Sequence, residues 1–205
     1  MRRKGKGKGE RGKGMAKKRY AMMIDLRRCI GCHACSVACK AEYEVPLGCW
    51  RTWVKQIEKG RYPYVRKAFL PIVCNHCERA ICTTVCPVKA TYQRPEDGIV
   101  MINPHRCIGC RYCMAACPYN VRFINPRYNI VEKCDFCQKR IDQGQTPACV
   151  AACPTQAMVF GDINDPNAEI TRLVSTSSVQ VIKPEMGTYP QTYYMDMDVD
   201  IVGAK

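Results

Sequence analysis

Residues 107–118 have the sequence CIGCRYCMAACP, in which successive cysteines are separated by two, two and three residues. The same spacing recurs in residues 29–39, CIGCHACSVAC, and both stretches begin Cys-Ile-Gly-Cys. Repetition of this kind within one chain indicates a duplicated structural unit. The cysteines of the two groups are Cys29, Cys32, Cys35 and Cys39, and Cys107, Cys110, Cys113 and Cys117.

Two further groups of four cysteines have looser spacings. One group lies in residues 74–87, CNHCERAICTTVCP, where four residues separate the second and third cysteines. The other lies in residues 134–154, CDFCQKRIDQGQTPACVAACP, where eleven residues separate them. Their cysteines are Cys74, Cys77, Cys82 and Cys86, and Cys134, Cys137, Cys149 and Cys153. Of the seventeen cysteines in this 205-residue chain, only Cys49 lies outside the four groups.

The spacing favours cubic iron-sulfur clusters. Three cysteines on one loop can bind three corners of a cube, while the fourth, on the helix that follows, ligates a second cluster. In three of the groups that fourth cysteine is followed by proline, which ends a short helix. We therefore predict that sixteen cysteines bind four 4Fe-4S clusters.

Zinc and disulfides are the alternatives for a cysteine-rich chain. Zinc sites built from C-x2-C pairs do not need a third cysteine within seven residues or a C-x3-C-P ending. Disulfides would require oxidative folding and would join cysteines that lie too close in sequence for easy geometry. Both explain the pattern less well than iron does.

The charge of the chain is concentrated in its first residues. The formal net charge is +14, but residues 1–19 contain ten Lys or Arg and a single acid, which leaves +5 for the rest. Four oxidised clusters with their thiolates would add about −8. The body would then be weakly acidic, with no general reason to bind nucleic acid. Glycines interleave with the basic residues, so residues 1–19 are predicted to be a disordered basic tail.

We expect neither a membrane-spanning segment nor a functional export signal in this sequence. Arg2 and Arg3 form a twin arginine, but no apolar stretch follows them, so we expect no functional signal peptide. No apolar run approaches the roughly 18 residues that a transmembrane helix needs. Membrane attachment is therefore expected to come from a partner.

Short elements are predicted around the cysteine groups. We expect a strand at 19–26, a helix at 34–43, strand pairs at 90–93 with 99–103 and at 121–125 with 130–133, and a last strand at 157–161. Residues 44–66, with Trp50 and Trp53 as packing residues, are predicted to be a connector. Residues 162–205 show little periodicity and are predicted to be an irregular strap. Within it, alternation of Met195, Met197, Val199 and Ile201 with aspartates permits a terminal edge strand.

The remaining candidates have simpler predicted roles. Cys49 is expected to be a structural thiol. His33, His76 and His105 could ligate iron in principle, but sixteen cysteines already complete four sites, so we expect supporting or surface roles. Cations that flank the ligands could either raise the reduction potentials or be solvated: Arg28, Lys40, Arg106, Arg111 and Lys133.

The four-group pattern resembles a known family, the four-cluster iron-sulfur subunits of molybdopterin oxidoreductases of the dimethyl sulfoxide reductase type. Within that family the chain is most similar to the polysulfide or thiosulfate reductase iron-sulfur subunit. The resemblance covers nearly the whole chain after Tyr20. It rests on YAMMIDLRRCIGCHAC at 20–35, on CNHCERAICTTVCPVKATYQRPEDGIV at 74–100, and on FGDINDP at 160–166 followed by VIKPEMGTYP at 181–190.

The resemblance implies an α+β fold of two bacterial ferredoxin-like two-cluster modules, one nested inside the other. The implied ligand sets are Cys29, Cys32, Cys35 and Cys153; Cys134, Cys137, Cys149 and Cys39; Cys74, Cys77, Cys82 and Cys117; and Cys107, Cys110, Cys113 and Cys86. The outer module would comprise 20–66 and 131–165, the inner module 67–130, and 166–205 would be an extended segment that contacts a partner. Lys40 departs from the proline of the other groups, which leaves the end of the first helix open.

The implied function is electron transfer in anaerobic respiration. The chain would pass single electrons between a membrane subunit that reacts with quinone and a catalytic subunit that holds a molybdenum or tungsten pterin, and would itself catalyse no reaction. Co-export with the catalytic subunit would place it on the extracytoplasmic side of the membrane, and a cytoplasmic complex stays open. The alternatives are a hydrogenase or formate-hydrogen lyase subunit, a free polyferredoxin, or a metal-responsive regulator, for which no effector or DNA-reading segment is found.

Overall fold

The computed structural model describes residues 17–197, so most of the predicted basic tail and residues 198–205 lie outside it. The strands are β1 Tyr20–Asp25, β2 Trp53–Arg61, β3 Tyr64–Ile72, β4 Thr91–Gln93, β5 Val100–Ile102, β6 Phe123–Asn125, β7 Ile130–Glu132, β8 Met158–Asp162, β9 Val179–Gln180 and β10 Thr192–Met195. The helices are α1 Ala34–Tyr43, α2 Ile81–Thr84, α3 Tyr112–Ala115, α4 Gln138–Asp142, α5 Ala148–Ala151 and α6 Glu169–Thr176, with a 3-10 helix at Pro184–Met186. Mixed short helices and strands confirm the predicted α+β class.

A four-stranded sheet in the order β8-β1-β10-β9 is the centre of the fold. β1 runs parallel to β10 and antiparallel to β8, so it is hydrogen-bonded on both edges. Its apolar run is buried on both faces, as expected of an interior strand. Met22 and Ile24 face a core that includes buried cysteines, whereas Ala21 and Met23 pack with Ile170 of α6 on the opposite face.

Three hairpins complete the strand structure. β4 pairs with β5 and β6 pairs with β7, each antiparallel, as predicted from the sequence. The third hairpin, β2 with β3, was not predicted. It occupies most of the predicted connector, and the predicted module boundary at residues 66 and 67 falls inside β3. Its tip is exposed, with Tyr62 and Tyr64 accessible by 93% and 88%.

The length of each ligand helix follows from the residue after its last cysteine. α2, α3 and α5 have four residues each and end before a Cys-Pro pair. α1 has ten residues, because Lys40 stands where the other groups have proline and lets the helix continue to Tyr43. The Lys40 ammonium group then donates to the carbonyl oxygens of Val45, Pro46 and Cys49, which fixes the chain after the helix.

The prediction of an irregular C-terminal strap is wrong for the described part of that segment. Residues 166–197 contain α6, β9, the 3-10 helix and β10. β10 lies between β1 and β9, so it is an interior strand and not an edge strand. The reason is tertiary pairing: β10 gains its hydrogen bonds from β1, which is distant in sequence. Val199 and Ile201 lie outside the described residues.

The last residue of the predicted tail also belongs to the body. The Arg19 backbone N–H donates to Asp162 Oδ1 at 2.8 Å, and its carbonyl accepts from the Ile163 N–H at 2.8 Å. Its guanidinium group approaches the carbonyl oxygens of Gly98 and His76 at 3.5 Å. These contacts anchor the chain where β1 begins.

Helix pairing brings distant cysteine groups together. α1, which contains two cysteines of the first group, packs on α5 of the fourth group, and α2 of the second group packs on α3 of the third. Between residues 17 and 197, no helix has the length and apolar character required to cross a bilayer.

Candidate metal centres

Four cysteines from two groups that are distant in sequence line one cavity: Cys39, Cys134, Cys137 and Cys149. Cys39 lies on α1 and Cys149 on α5, so the packing of these two helices closes the cavity. Burial raises the pKa of Cys39 to about 12, and the neighbouring Cys137 thiol adds to the rise. Three cysteines of the fourth group thus meet the last cysteine of the first. We call this site the outer buried site.

A second cavity is lined by Cys74, Cys77, Cys82 and Cys117. Here three cysteines of the second group meet the last cysteine of the third. Burial raises the pKa of Cys77 to about 11, and repulsion by the other three thiols contributes. This is the same three-plus-one arrangement, and we call it the inner buried site.

The first group has a matching neighbour in the fourth. Burial raises the pKa of Cys35, and repulsion by the Cys29 and Cys153 thiols adds to the rise. Burial likewise raises the pKa of Cys29, with Cys153 and Cys32 close enough to contribute. Cys32 is exposed. These four cysteines form the outer surface site.

The third group has the corresponding neighbour in the second. Burial raises the pKa of Cys113, and repulsion by the Cys107 and Cys86 thiols adds to it. Cys110, on the same loop, is exposed like its counterpart in the first group. Cys86, Cys107, Cys110 and Cys113 form the inner surface site.

Backbone N–H groups support two of the cysteines as thiolates. The pKa of Cys86 is lowered: burial alone would raise it, but hydrogen bonds from the backbone N–H groups of Thr91 and Ala90 outweigh burial. The pKa of Cys153 is lowered in the same way, with the Ala157 N–H 3.3 Å from its sulfur. Since the thiolate is the form that ligates metal, both positions are prepared for iron.

The two Cys-Ile-Gly-Cys loops turn at glycines that allow close packing. Gly31 and Gly109 both have φ of 68°. A Cβ atom on Gly109 would lie 2.5 Å from the carbonyl oxygen of Asn129, and one on Gly31 would lie 2.2 Å from the Phe69 ring. Only glycine lets these ligand loops approach the body so closely.

The residues present fit iron-sulfur clusters. All seventeen cysteines are free thiols. Within residues 17–197 no group of three or more His, Cys, Asp or Glu side chains is arranged to hold a metal ion. The ligands of a cubane bind different iron atoms at its corners, so they stand further apart than ligands of one ion.

The four sites follow one another in a line. Cys35 of the outer surface site is among the thiols that, after burial, raise the pKa of Cys149 in the outer buried site. Burial raises the pKa of Cys134 well above its ordinary value, and Cys74 of the inner buried site is among its charged neighbours. Arg122 is close to thiols of both inner sites. Thiols thus interact in the order outer surface, outer buried, inner buried and inner surface site, and each surface site contains one exposed cysteine, Cys32 or Cys110.

Comparison with known proteins agrees with this geometry. Residues 65–163 match the family described as 4Fe-4S dicluster domain, and residues 20–41 match the family described as 4Fe-4S binding domain. The B subunit of tetrathionate reductase from Salmonella typhimurium is 46% identical over 193 residues, which cover 92% of this chain and 77% of the relative. The thiosulfate reductase electron transfer subunit PhsB of Salmonella typhi is 45% identical over 163 residues, 78% of this chain and 83% of the relative.

The corresponding polypeptide of polysulfide reductase from Wolinella succinogenes is 41% identical over 187 residues, 87% of this chain and 94% of the relative. The chain belongs to the family of iron-sulfur electron-transfer subunits of such reductases. It binds 4Fe-4S clusters and transfers electrons, and it is not the catalytic subunit of its complex. The recognition, the electron-transfer function and the non-catalytic role predicted from sequence are thus confirmed.

Within this electron-transfer subunit the remaining candidates have varied positions. Cys49 contacts the carbonyl oxygen of Ile124 at 3.7 Å and belongs to none of the four sites. His105 is exposed, and His33 begins α1 with its Nε2 atom 3.1 Å from Gln56 Nε2. His76 is buried beside the cysteines of the inner buried site.

The predicted flanking cations fall into two classes. Arg28, Arg106 and Arg111 are exposed. Lys40 and Lys133 bind carbonyl oxygens; the Lys133 ammonium group contacts those of Val100 and Cys134.

Two arginines near the sites, the half-buried Arg51 and the buried Arg122, were missed from the sequence. Arg51 makes ion pairs with Glu132 at 3.0 Å and with Asp135 at 3.3 Å, beside the outer buried site. Arg122 lines the inner buried site. Neither flanks a cysteine directly, so proximity in sequence gave no signal.

Proposed function

We propose that this chain holds four 4Fe-4S clusters and passes single electrons between a membrane subunit that reacts with quinone and a molybdopterin catalytic subunit. The observation that carries the proposal is the pair of cavities, each lined by three cysteines of one group and one of another. The proposed ligand sets are those of the two surface sites and the two buried sites defined above.

The three-plus-one arrangement supports two nested two-cluster modules. The outer module would contain 20–66 and 131–165, in agreement with the pairing of β1 with β8 and the packing of α1 on α5. The inner module would contain 67–130, in agreement with the packing of α2 on α3. Each module would have one buried site and one surface site. The interaction of Cys134 with Cys74 supports an arrangement in which the two buried sites are neighbours.

The residues of the chain act by binding and by shaping the environment. When bound, the clusters supply one-electron exchange. Thiolates hold them, the short helices and glycine turns fix the thiolates, and the apolar core around Met22, Ile24 and Tyr194 excludes water from the buried sites. The exposed loops at Ile30 and Ile108 are the points at which partner subunits would approach.

The partners follow from the resemblance and from the names of the relatives, which are subunits of tetrathionate, thiosulfate and polysulfide reductases. We propose a peripheral position on the membrane within such a complex, on the extracytoplasmic side by co-export with the catalytic subunit. Protease treatment of intact spheroplasts tests the side of the membrane, since a cytoplasmic complex would be protected.

Iron analysis tests the cofactor part of the proposal. Protein purified without oxygen should be brown and contain about sixteen iron atoms per chain, four for each cubane. A colourless protein that contains zinc, or an iron content near eight, would contradict four clusters.

Purification of the native complex tests the partner part. A tagged chain expressed from its own host should bring down a large subunit with a bound pterin and an apolar membrane subunit. A large subunit with a nickel-iron centre would instead identify a hydrogenase complex, and purification of the tagged chain alone would indicate a free polyferredoxin.

A further inference from the structure

Arg122 is a buried arginine inside the region of the two inner sites. It follows Cys117 in the chain and precedes β6, and only 5% of its surface is exposed. Its side chain forms part of the wall of the inner buried site, together with Cys74, Cys82 and Cys117. A fully charged side chain in such a position requires an explanation, because arginine stays protonated in proteins.

The hydrogen bonds of Arg122 leave part of its guanidinium group without a protein partner. Nη1 donates to Thr91 Oγ1 at 3.4 Å. Nη2 is buried and has no hydrogen-bond partner. The guanidinium group also lies close enough to the Cys113 thiol, which belongs to the inner surface site, to oppose the rise of its pKa. Arg122 therefore reaches sulfur ligands of both inner sites.

Two half-buried arginines, Arg51 and Arg94, differ from Arg122 because carboxylates pair with them. Arg51 is paired with Glu132 and Asp135, and Arg94 is paired with Glu96, Asp97 and Asp142. In the described part of the chain no carboxylate lies within ion-pair distance of Arg122. A buried cation without an anion is costly. The buried Lys133 is satisfied by the carbonyl oxygens of Val100 and Cys134, whereas Nη2 of Arg122 has no partner and is free to donate to a group bound at the site. Among residues 17–197, the anions nearest to it are cysteine thiolates and what they bind.

We propose that Arg122 is the shared counter-ion of the two inner clusters, which donates N–H groups to their sulfur ligands and raises the reduction potential of both. This inference rests on the proposed ligand sets. Arg122 acts as a positioning residue through the clusters and ligates no iron.

The direction of the effect follows from charge. Each oxidised cluster with its four thiolates carries about −2, and the gain of one electron makes it about −3 with no proton taken up. A fixed positive charge in a poorly hydrated site stabilises the more negative form more strongly. Removal of Arg122 should therefore make both inner clusters harder to reduce, while the two outer clusters should change little.

The test is an EPR-monitored reductive titration with dithionite of the iron-loaded chain, comparing wild type with Arg122→Met. We expect two of the four clusters to need at least a tenfold higher ratio of reductant to oxidant for half reduction, about 59 mV for a one-electron couple. Arg122→Lys, which keeps the charge, should restore most of this shift. Arg111→Met is the matched control: it removes an exposed cation beside the same surface site, where solvent already screens the charge, and should leave all four potentials close to wild type.

Equal potentials in wild type and Arg122→Met, or a shift of one cluster or of all four alike, would overturn the proposal. Arg122→Met could lose its clusters, so a second measurement uses the wild-type chain labelled with 15N at arginine only. Pulsed EPR of the reduced chain should then show, at both inner clusters, a 15N coupling that is lost in the equally labelled Arg122→Lys variant. If the variant and the wild type show the same couplings, the proposal is rejected. If wild type itself holds fewer than four clusters, the proposed ligation fails first, and iron analysis shows this independently.

Discussion

The imidazole ring of His76 stacks on the phenyl ring of Phe136, with ring centroids 3.7 Å apart. His76 lies between two cysteines of the inner buried site, and Phe136 lies between two of the outer buried site. The stack therefore joins the two buried sites in the middle of the line. His76 Nδ1 also accepts the Val100 N–H at 3.1 Å, which ties the same loop to β5.

Replacement of His76 by alanine should destabilise the iron-loaded chain by about 3 kcal/mol, because it removes a buried ring and leaves a buried N–H without an acceptor. The expected result is a lower thermal midpoint and faster bleaching of the clusters on heating. The His76→Phe variant keeps a ring but lacks the acceptor, so its thermal midpoint should lie between those of wild type and His76→Ala. His105→Ala, at an exposed position, is the control, and an equal loss of stability in both alanine variants would contradict the role of the stack.

Replacement of single cysteines should reveal the crossed ligation. Cys39→Ser should perturb the EPR signal of the cluster whose other ligands are Cys134, Cys137 and Cys149, because the thiol of Cys39 lines their cavity. Cys153→Ser should instead perturb the cluster bound by the first group. Cys49→Ser should leave iron content and spectra unchanged. If Cys39→Ser and Cys153→Ser each disturbed the cluster of their own group only, the ligand sets would be wrong.

Asp135→Asn should raise the reduction potential of the cluster in the outer buried site. Asp135 and Glu132 share one cation, Arg51, and the negative charge of Asp135 acts on the thiols of this site. The amide keeps an acceptor for the Tyr43 hydroxyl, which donates to Asp135 Oδ1 at 2.6 Å, so the change is mainly one of charge. A potentiometric titration should show an upward shift of that one cluster. Glu58→Gln, in the exposed hairpin, should leave the reduction potential of that cluster unchanged.

Tyr194 should be a major source of stability. Its ring is fully buried in β10, and its hydroxyl donates to the Pro71 carbonyl oxygen at 2.9 Å. Tyr194→Phe should cost about 1 to 2 kcal/mol and Tyr194→Ala about 3 to 5 kcal/mol. Thermal unfolding of the anaerobic chain measures both. Tyr62→Ala, at the exposed hairpin tip, should leave the thermal midpoint unchanged, and a comparable loss there would argue against burial as the cause.

The sequence predicted the elements whose signals are local. The hairpin of β4 with β5 surrounds an Asp-Gly turn, and α1 follows a regular ligand spacing that Lys40 allows to continue. The cysteine groups predicted the iron-sulfur chemistry because the spacing of the cysteines is the one that a single loop needs to bind three corners of a cluster. In these cases residues adjacent in sequence make the structure.

The elements that were missed depend on distant partners. β10 is a strand because β1 pairs with it, and its own four residues show no period long enough to recognise. The first half of β3 is exposed, so it lacks the alternation of a half-buried strand. The burial of β2 does alternate, but Lys55 and Lys59 lie on its half-buried face, so its sequence shows no alternation of apolar and polar residues. α6 did carry a signal, with Ile170, Leu173 and Val174 on one face. Arg51 and Arg122 became visible only when the fold placed them beside thiols from other groups.

The order of the central sheet has a consequence for biosynthesis. Translation releases β1 before any other described strand, yet its two neighbours are β8 and β10, which leave the ribosome only after every ligand-bearing group has been made. A nascent chain thus cannot bring α1 against α5 before Ala151 has been made, and it cannot complete the pairing of its first strand until synthesis has passed Met195. The proposed outer pair of sites therefore stays incomplete until Cys153 has been made, whereas the segment between Cys74 and Cys117 contains all the cysteines of the proposed inner pair and is made earlier.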